Sequence, residues 1–248
     1  MSPLTTLTNW PPTNRPAPDT SPPPSPSPPP QPPPPPPPEA GELANITWLD
    51  LSVNNISGSI PAEIGAIDNI EVINLAFNSL TGQMPTSLGA LNANGYAQLN
   101  ELSLQNNAFG GSLPTELGAL VGLRLFNLAF NHLGGSIPTE LASLSALQVL
   151  YLNQNSLSGS LPSAMGSLRS LRYLNVSTNM LTGVLPPSLG ELSELNELHA
   201  FENTISGTIP TELGKLDQMG SFFLLSSNLI SSKIPTQLGN LVQMSSFF

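Results

Sequence analysis

Apolar residues recur along most of the chain at fixed offsets from an asparagine. In the copy around Asn155, Leu150 and Leu152 alternate with outward positions just before the asparagine. This period-two alternation predicts a short strand with one face turned inward. Gly159, four residues after the asparagine, suits a turn that needs permissive dihedral angles, and Pro162 closes a second short extended segment.

Eight copies of this pattern follow one another at nearly constant spacing. The intervals between consecutive asparagines are 24, 29, 24, 24, 24, 24 and 25 residues, and a proline stands seven residues after each one. Such a period predicts stacked supersecondary units, and we expect the asparagine amides to satisfy backbone groups freed by each turn. The long interval predicts five extra residues, in a loop among Asn92 to Gln98. The predicted structural ladder consists of Asn54, Asn78, Asn107, Asn131, Asn155, Asn179, Asn203 and Asn228.

A short helical turn is predicted after each proline. A threonine followed by a glutamate predicts a hydroxyl cap and an acid in the first turn, which is favourable to the exposed N–H groups and the helix dipole. These pairs are Thr115-Glu116, Thr139-Glu140 and Thr211-Glu212. Glycines are expected to end the turns, and they are Gly118, Gly166, Gly190 and Gly214.

The repeated string Leu-x-x-Leu-x-Leu-x-x-Asn-x-Leu-Ser/Thr-Gly-x-Ile-Pro-x-x-Leu-Gly resembles the plant-specific leucine-rich repeat. The resemblance covers roughly Ile46 to Phe248. It implies an α/β solenoid, a superhelix with short parallel strands on its concave face and short helical or 3-10 turns on its convex face. That class includes receptor-like kinase ectodomains, receptor-like proteins and polygalacturonase inhibitors. The solenoid is expected over residues 42–248, as eight repeats plus a truncated ninth.

Residues 1–41 have a different composition and no apolar periodicity. They hold 19 of the 28 prolines, ending in the run Pro32 to Pro38. Because proline fixes φ and donates no hydrogen bond, this segment is predicted to be a disordered tail that samples polyproline II and acts as a spacer. Two alternatives stay open. The run Pro32–Pro38 could dock on an SH3, WW or profilin-like partner, or the Ser-Pro blocks could resemble those of extensin-like wall proteins.

Charge and composition exclude several kinds of function. The formal net charge is −10 with only six Lys and Arg residues, which argues against nucleic-acid binding through phosphates. With no cysteine there are no disulfides and no thiolate metal sites. No apolar run of about 18 residues predicts a transmembrane segment, and Met1 to Trp10 shows no secretory signal. No cofactor, metal site or catalytic motif is expected, so the chain is predicted not to be an enzyme.

The histidines do not predict a paired site. His132 is expected at a turn and His199 in a strand, facing solvent, with Glu202 as an apparent acid–base neighbour. Their separation of 67 residues is almost three repeats, so the two side chains are expected to lie far apart.

The outward positions of the strands are the candidate binding surface. Residues four and two before each asparagine are expected to align into columns on the concave face, with aromatic residues gathered in repeats five to seven. Aromatic rings beside hydrogen-bonding groups are used in peptide and glycan recognition, although solvent exposure alone could explain the variation. The candidate ligand-binding residues are Gln105, Asn127, Tyr151, Asn153, Tyr173, Asn175, His199 and Phe201.

The resemblance favours a non-catalytic module that binds a protein, a peptide or a cell-wall glycan on this face. Such a module would be receptor-like or wall-associated, and extracellular or at the cell surface if a longer chain carries a signal. Two alternatives remain. The chain could be an intracellular scaffold of the cytoskeletal or ciliary kind, which the lack of cysteine and of a signal favours, or an ectodomain fragment of a receptor-like kinase.

Overall fold

The computed structural model describes residues 46–91, 98–220, 222–244 and the backbone of 246–247. The predicted proline-rich tail lies outside the described residues. So do residues 92–97, which hold most of the expected loop.

One parallel sheet runs through the whole described chain and receives one strand from each repeat. Its strands pair in chain order, and its two outermost strands do not pair with each other, so the sheet is open. The predicted solenoid of short parallel strands is therefore confirmed. Within the described residues the sheet has nine strands: Trp48–Asp50, Val72–Asn74, Glu101–Ser103, Leu125–Asn127, Val149–Tyr151, Tyr173–Asn175, Glu197–His199, Phe222–Leu224 and Ser246–Phe247.

A second set of short parallel strands forms after the asparagine of each repeat. It is divided into sheets of three, two and three strands in the described residues. Isolated bridges from Ser112 to Gly134 and from Val184 to Ser206 connect neighbouring sheets. The strands are Ser57–Gly58, Ser79–Gln83, Ala108–Gly110, Gly134–Ser136, Ser156–Ser160, Met180–Thr182, Ser206–Gly207 and Leu229–Ile230.

A five-residue 3-10 helix completes each repeat, and the predicted threonine caps are wrong. The residue that precedes each helix is the repeat proline, and no side chain caps any of the eight helices that the structure describes. The carbonyl of Pro114 accepts the first bond, from Leu117, while the Thr115 hydroxyl donates to Glu116 instead. The helices are Ala62–Ala66, Thr86–Ala90, Thr115–Ala119, Thr139–Ser143, Ser163–Ser167, Pro187–Glu191, Thr211–Lys215 and Thr236–Asn240.

The prediction that the glycines of these helices end them is wrong. Instead, these glycines allow successive repeats to approach each other closely. Gly118 lies inside Thr115–Ala119, and a Cβ there would sit 2.4 Å from the carbonyl oxygen of Glu140 in the next repeat. Contacts of 2.3 to 2.4 Å to the next repeat's carbonyl would also arise at five further glycines. They are Gly65, Gly89, Gly166, Gly190 and Gly214.

Leucine side chains from both strand sets and the helices form one continuous apolar core. Leu150 and Leu152, the alternating pair of the fifth repeat, are fully buried, as is Leu157 beyond the turn. Full burial of one such side chain contributes about 2 kcal/mol, so stability accumulates repeat by repeat. Three phenylalanines, Phe109, Phe126 and Phe223, replace smaller apolar residues in this core without becoming exposed.

Two positions of each repeat adopt left-handed backbone. The residue before each ladder asparagine has φ between 51° and 57°, including the β-branched Val53 and Thr178. The turn glycines of seven repeats have φ between 71° and 88°, and Ser232 holds the equivalent position in the eighth repeat at φ 81°. An L-residue in this region is strained because its Cβ approaches the following carbonyl oxygen.

Replacing Ser232 with Gly is expected to stabilise the chain by about 1 kcal/mol, because glycine adopts this φ without strain. Urea denaturation would measure the change. The neighbouring Ser231→Gly is the control: Ser231 is not among the residues with positive φ, so it should lose stability through backbone entropy. Equal effects of the two substitutions would contradict the strain at Ser232.

Candidate functional site

Seven ladder asparagines, from Asn78 to Asn228, each join their own turn to the preceding repeat. The amide of Asn131 donates to the carbonyls of Leu128 (3.1 Å) and Ala129 (3.3 Å) and to Leu104 of the preceding repeat (3.1 Å). Its Oδ1 accepts the N–H of Phe109, also in the preceding repeat, at 3.0 Å. Asn78, Asn107, Asn155, Asn179, Asn203 and Asn228 make the same kinds of bond. These side chains are occupied by the backbone and are structural in this geometry.

The side chains that alternate with the core residues form the opposite surface of the nine-stranded sheet, called here the nine-strand face. It comprises the residues six, four and two positions before each ladder asparagine. Strand pairing sets Asn175 beside Tyr151 on one side and His199 on the other, and sets Tyr173 beside Glu197. Tyr151, Asn175 and His199 therefore come together although consecutive members are 24 residues apart in sequence.

A small cavity of about 60 Å³ lies among these side chains. Four of the candidate residues, Tyr151, Tyr173, Asn175 and His199, line it together with Leu174 and Glu197. The remaining aromatic candidate, Phe201, adjoins this group, with its ring centroid 6.3 Å from that of His199. Residues from three neighbouring strands thus build one recess in the nine-strand face.

His199 is half-buried, and its environment differs from the expectation of a solvent-facing side chain. Its side chain is 20% exposed and its Nε2 lies 3.5 Å from Glu197 Oε2. This nitrogen is buried and has no hydrogen-bond partner among the residues that the structure describes. The ring of Phe222 packs edge-on at 5.8 Å between centroids. Burial lowers the pKa of His199 below its ordinary value, against a smaller opposing effect of Glu197, so the imidazole is neutral at neutral pH.

The acidic neighbour of His199 is Glu197 and not Glu202. The backbone of Glu202 is left-handed, with φ 52°, so this residue no longer follows the strand that contains His199. Its carboxylate accepts a hydrogen bond from Thr178 Oγ1 at 3.0 Å. The histidine–carboxylate contact that the structure does contain therefore lies within one strand of the nine-strand face.

Tyr151 presents a neutral phenol to the cavity. Burial raises its pKa above the ordinary value, and the nearby Glu197 and Tyr173 raise it further. A raised pKa is the opposite of what activates a phenol as a nucleophile. The ring is available for packing and its hydroxyl for hydrogen bonding.

Gln105, Asn127 and Asn153 lie on the nine-strand face outside this cavity. Asn127 Oδ1 accepts the N–H of Ala129 at 3.1 Å, so part of this side chain supports the end of its own strand. Gln105 is half-buried, and its buried Oε1 has no hydrogen-bond partner in the described part of the chain. Asn153 is half-buried. The structure brings together five of the eight candidates and leaves these three in repeats three to five.

Glu197 and Phe222 belong to the same surface but were not among the candidates. Both stand six residues before their ladder asparagine, in a third outward column that also contains Tyr173. The period-two alternation extends to this position, so the sequence did contain the signal for these two residues.

Other candidate chemistry does not assemble in the described part of the chain. His132 is exposed in a turn, and no group of three or more His, Asp or Glu side chains is arranged to hold a metal ion among the described residues. Nor does any helix in those residues have the length and apolarity needed to cross a membrane.

Models of known families match most of the chain. The model of the leucine-rich repeat region matches residues 94–246, and a second leucine-rich repeat model matches residues 45–67 and 69–91. A comparison with curated proteins gives no match.

Solved structures with the same fold include receptors and a bacterial protein. The plant peptide hormone receptor RGFR1, in complex with RGF2, is 31% identical with a TM-score of 0.79, over 84% of this chain and 32% of that one. The Arabidopsis receptor kinase HAESA, in complex with the peptide hormone IDA and the co-receptor SERK1, is 28% identical with a TM-score of 0.60, over 83% and 43%. The Leptospira interrogans leucine-rich repeat protein LIC12759 is 27% identical with a TM-score of 0.62, over 84% and 56%.

The chain therefore spans between about a third and just over half of the length of these three proteins. Their similarity and the family models agree with the repeat pattern, the open parallel sheet and the 3-10 helices described above. The chain belongs to the leucine-rich repeat family, and its resemblance to plant receptor ectodomains is confirmed.

Proposed function

We propose that the chain is a non-catalytic recognition module that binds an extended peptide segment of a ligand on its nine-strand face. The receptors RGFR1 and HAESA, which share its fold, were each solved in complex with a peptide hormone. By this similarity we place the module in a receptor-like, extracellular role. A protein or peptide ligand is favoured over a glycan for the same reason.

One observation carries the proposal. The buried side-chain polar atoms that lack a hydrogen-bond partner in the described residues are Gln105 Oε1 and His199 Nε2, and both belong to the nine-strand face. An unpaired buried polar atom costs about 1–3 kcal/mol, so such atoms are rare in folded proteins without a functional reason. A ligand that pairs with them, after a small movement of the side chains that bury them, would recover this free energy on binding.

The separation of these atoms favours an extended ligand. Gln105 and His199 belong to the third and seventh repeats, and neighbouring parallel strands lie about 4.8 Å apart, so four intervals span about 19 Å. An extended peptide rises about 3.3 Å per residue and would cover this distance with about six residues. Tyr151, Asn153 and Asn175 lie between the two atoms, where they would contact the middle of such a peptide.

The recess is better suited to binding than to catalysis. A cavity of about 60 Å³ is far smaller than the several hundred Å³ of most small-molecule sites. Tyr151 is not activated as a nucleophile, since its pKa is raised. Aromatic side chains that are half-buried beside amides resemble the anchors of a recognition surface.

Selection of random twelve-residue peptides displayed on phage, against the immobilised chain, would test the proposal. Selected peptides, titrated by calorimetry, are expected to bind Tyr151→Ala and Phe201→Ala about tenfold or more weakly than the unmodified chain. Both side chains are only half-buried, so thermal unfolding should show that the two variants remain folded.

Met180→Ala and Val184→Ala are the matched controls, because both residues are about half exposed and lie off the nine-strand face. Met180 is in a strand of the second set, and Val184 forms an isolated bridge just after that strand. They should leave peptide affinity unchanged. The proposal fails if no peptide is enriched, or if the enriched peptides lose as much affinity for the control variants as for Tyr151→Ala.

A further inference from the structure

We infer that the recess between Tyr151, Tyr173 and His199 is a cation subsite. In it, the carboxylate of Glu197 and the surrounding rings receive an alkylammonium or guanidinium group of the bound peptide. This inference rests on the function proposed above and adds the chemistry that one position of the ligand must have.

The nine-strand face is acidic. Its residues at the three outward columns include the carboxylates of Asp50, Glu101 and Glu197 and contain no Lys or Arg. In the part of the chain that the structure describes, the ion pairs formed by Lys and Arg side chains join Arg169, Arg172 and Lys215 to Glu191 and Glu194, off this face. The whole chain is also strongly acidic, which favours a basic ligand.

Glu197 differs from the other two carboxylates of the face. Asp50 accepts hydrogen bonds from Ser52 and Asn74, and Glu101 accepts one from the Ser103 hydroxyl at 2.8 Å. No described residue donates a hydrogen bond to the Glu197 carboxylate, whose nearest basic neighbour is His199 at 3.5 Å. Glu197 therefore has acceptor capacity that the described residues do not use.

Because the Glu197 carboxylate is partly buried, leaving it without a hydrogen-bond donor costs free energy. The side chain of Glu197 is 23% exposed, so its charge has lost much of its contact with water. The neighbouring imidazole is neutral at neutral pH, because burial lowers its pKa, and so it does not supply the missing positive charge. In a partly desolvated recess an incoming cation would interact with this carboxylate more strongly than at an open surface.

The other walls of the recess are also suited to a cation. The rings of Tyr151 and Tyr173 line the cavity beside the carboxylate, and a cation over an aromatic face is attracted by the ring quadrupole. A neutral imidazole has one acceptor nitrogen, so His199 can also accept an N–H of the ligand. The volume of about 60 Å³ accommodates a small polar head group and excludes an aromatic side chain.

The probes are five eight-residue peptides of Ala and Ser. Four are capped at both ends and carry a central Lys, Arg, norleucine or Glu. The fifth has a free amino terminus and no basic side chain. The full chain contains three tyrosines, so ring signals of Tyr151 and Tyr173 can be assigned by substitution and followed by NMR during titration. We expect the Lys or Arg peptide to shift both signals and to bind about tenfold more tightly than the norleucine peptide. Binding of the fifth peptide alone would identify a terminal ammonium as the cation.

Glu197→Gln should abolish the preference for the cationic peptides while the variant unfolds at the same temperature as the unmodified chain. Glu202→Gln is the matched control, because this exposed carboxylate belongs to the same repeat and bonds to Thr178. The inference is overturned if the norleucine peptide binds as tightly as the Lys and Arg peptides, or if Glu197→Gln changes nothing.

These results can be separated from those of the peptide selection. If phage-selected peptides depend on Tyr151 but bind Glu197→Gln normally and need no basic residue, the nine-strand face binds peptides and the cation subsite is wrong. If no selected peptide depends on Tyr151, the proposed function itself is wrong.

Discussion

Replacing Asn131 with Ala is expected to lower the free energy of unfolding by about 3–5 kcal/mol. Asn131 is 6% exposed, and the change removes three donated hydrogen bonds and one accepted bond. The carbonyl of Leu104 and the N–H of Phe109 would remain buried without this partner. Urea denaturation followed by circular dichroism would measure the loss, which corresponds to a lowering of the melting temperature by roughly 10 °C.

Asn54→Ala provides the control at an equivalent sequence position. Asn54 is exposed, and among the described residues its amide donates only to the carbonyls of Leu51 and Ser52 in its own repeat. Its removal should cost less than about 1 kcal/mol, since water can replace both bonds. Similar losses for the two variants would show that the bonds between repeats do not account for the role of the asparagine.

Gly118→Ala is expected to destabilise the chain by about 2–3 kcal/mol. The added Cβ would lie 2.4 Å from the carbonyl oxygen of Glu140, and backbone in the next repeat would have to move. Because Gly118 lies in a helix with an ordinary φ, the cost comes from this contact and not from conformational strain. Thermal and urea unfolding would both report it.

Gly239→Ala tests the same position without the contact. Gly239 lies in the helix Thr236–Asn240, and a Cβ there would meet no atom within 4 Å. Alanine should be neutral or slightly stabilising at this position, because glycine costs helix stability. A loss at Gly239 as large as that at Gly118 would contradict the packing explanation.

The fold could be predicted from the sequence because one short pattern determines both local structure and packing. The alternation of Leu150 and Leu152 identifies a strand and its inward face, and the 24-residue period identifies what that face packs against. The ends of the helices were less predictable. Thr115 and Gly118 have the residue types of a cap and a terminator in an α-helix. In this five-residue 3-10 helix the carbonyl of the preceding proline already accepts the first hydrogen bond, so no threonine cap forms. The glycine is required because a side chain there would collide with the backbone of the next repeat.

The candidate site was only partly predictable, because which side chains lie next to each other depends on where each strand ends. Outward columns place Tyr151, Asn175 and His199 side by side, and strand pairing shows this arrangement. Sequence proximity suggested Glu202 as the neighbour of His199. Glu202 is itself the residue before a ladder asparagine, and its left-handed backbone points its side chain towards Thr178 instead. The contact with Glu197 lies within one strand and follows from the period-two alternation. Burial of the imidazole involves neighbouring strands as well, and no single repeat contains that information.

The bonds of the ladder asparagines have a consequence for the way the chain folds as it is synthesised. The N–H of Phe109 is bonded by an asparagine that comes 22 residues later, and the same separation applies to Leu133, Leu157 and Leu181. During synthesis, the turn amide of a repeat therefore bonds to water and not to an asparagine until the next repeat has also emerged from the ribosome. We expect growth of the solenoid during translation to lag synthesis by one repeat and to proceed in the direction of the chain.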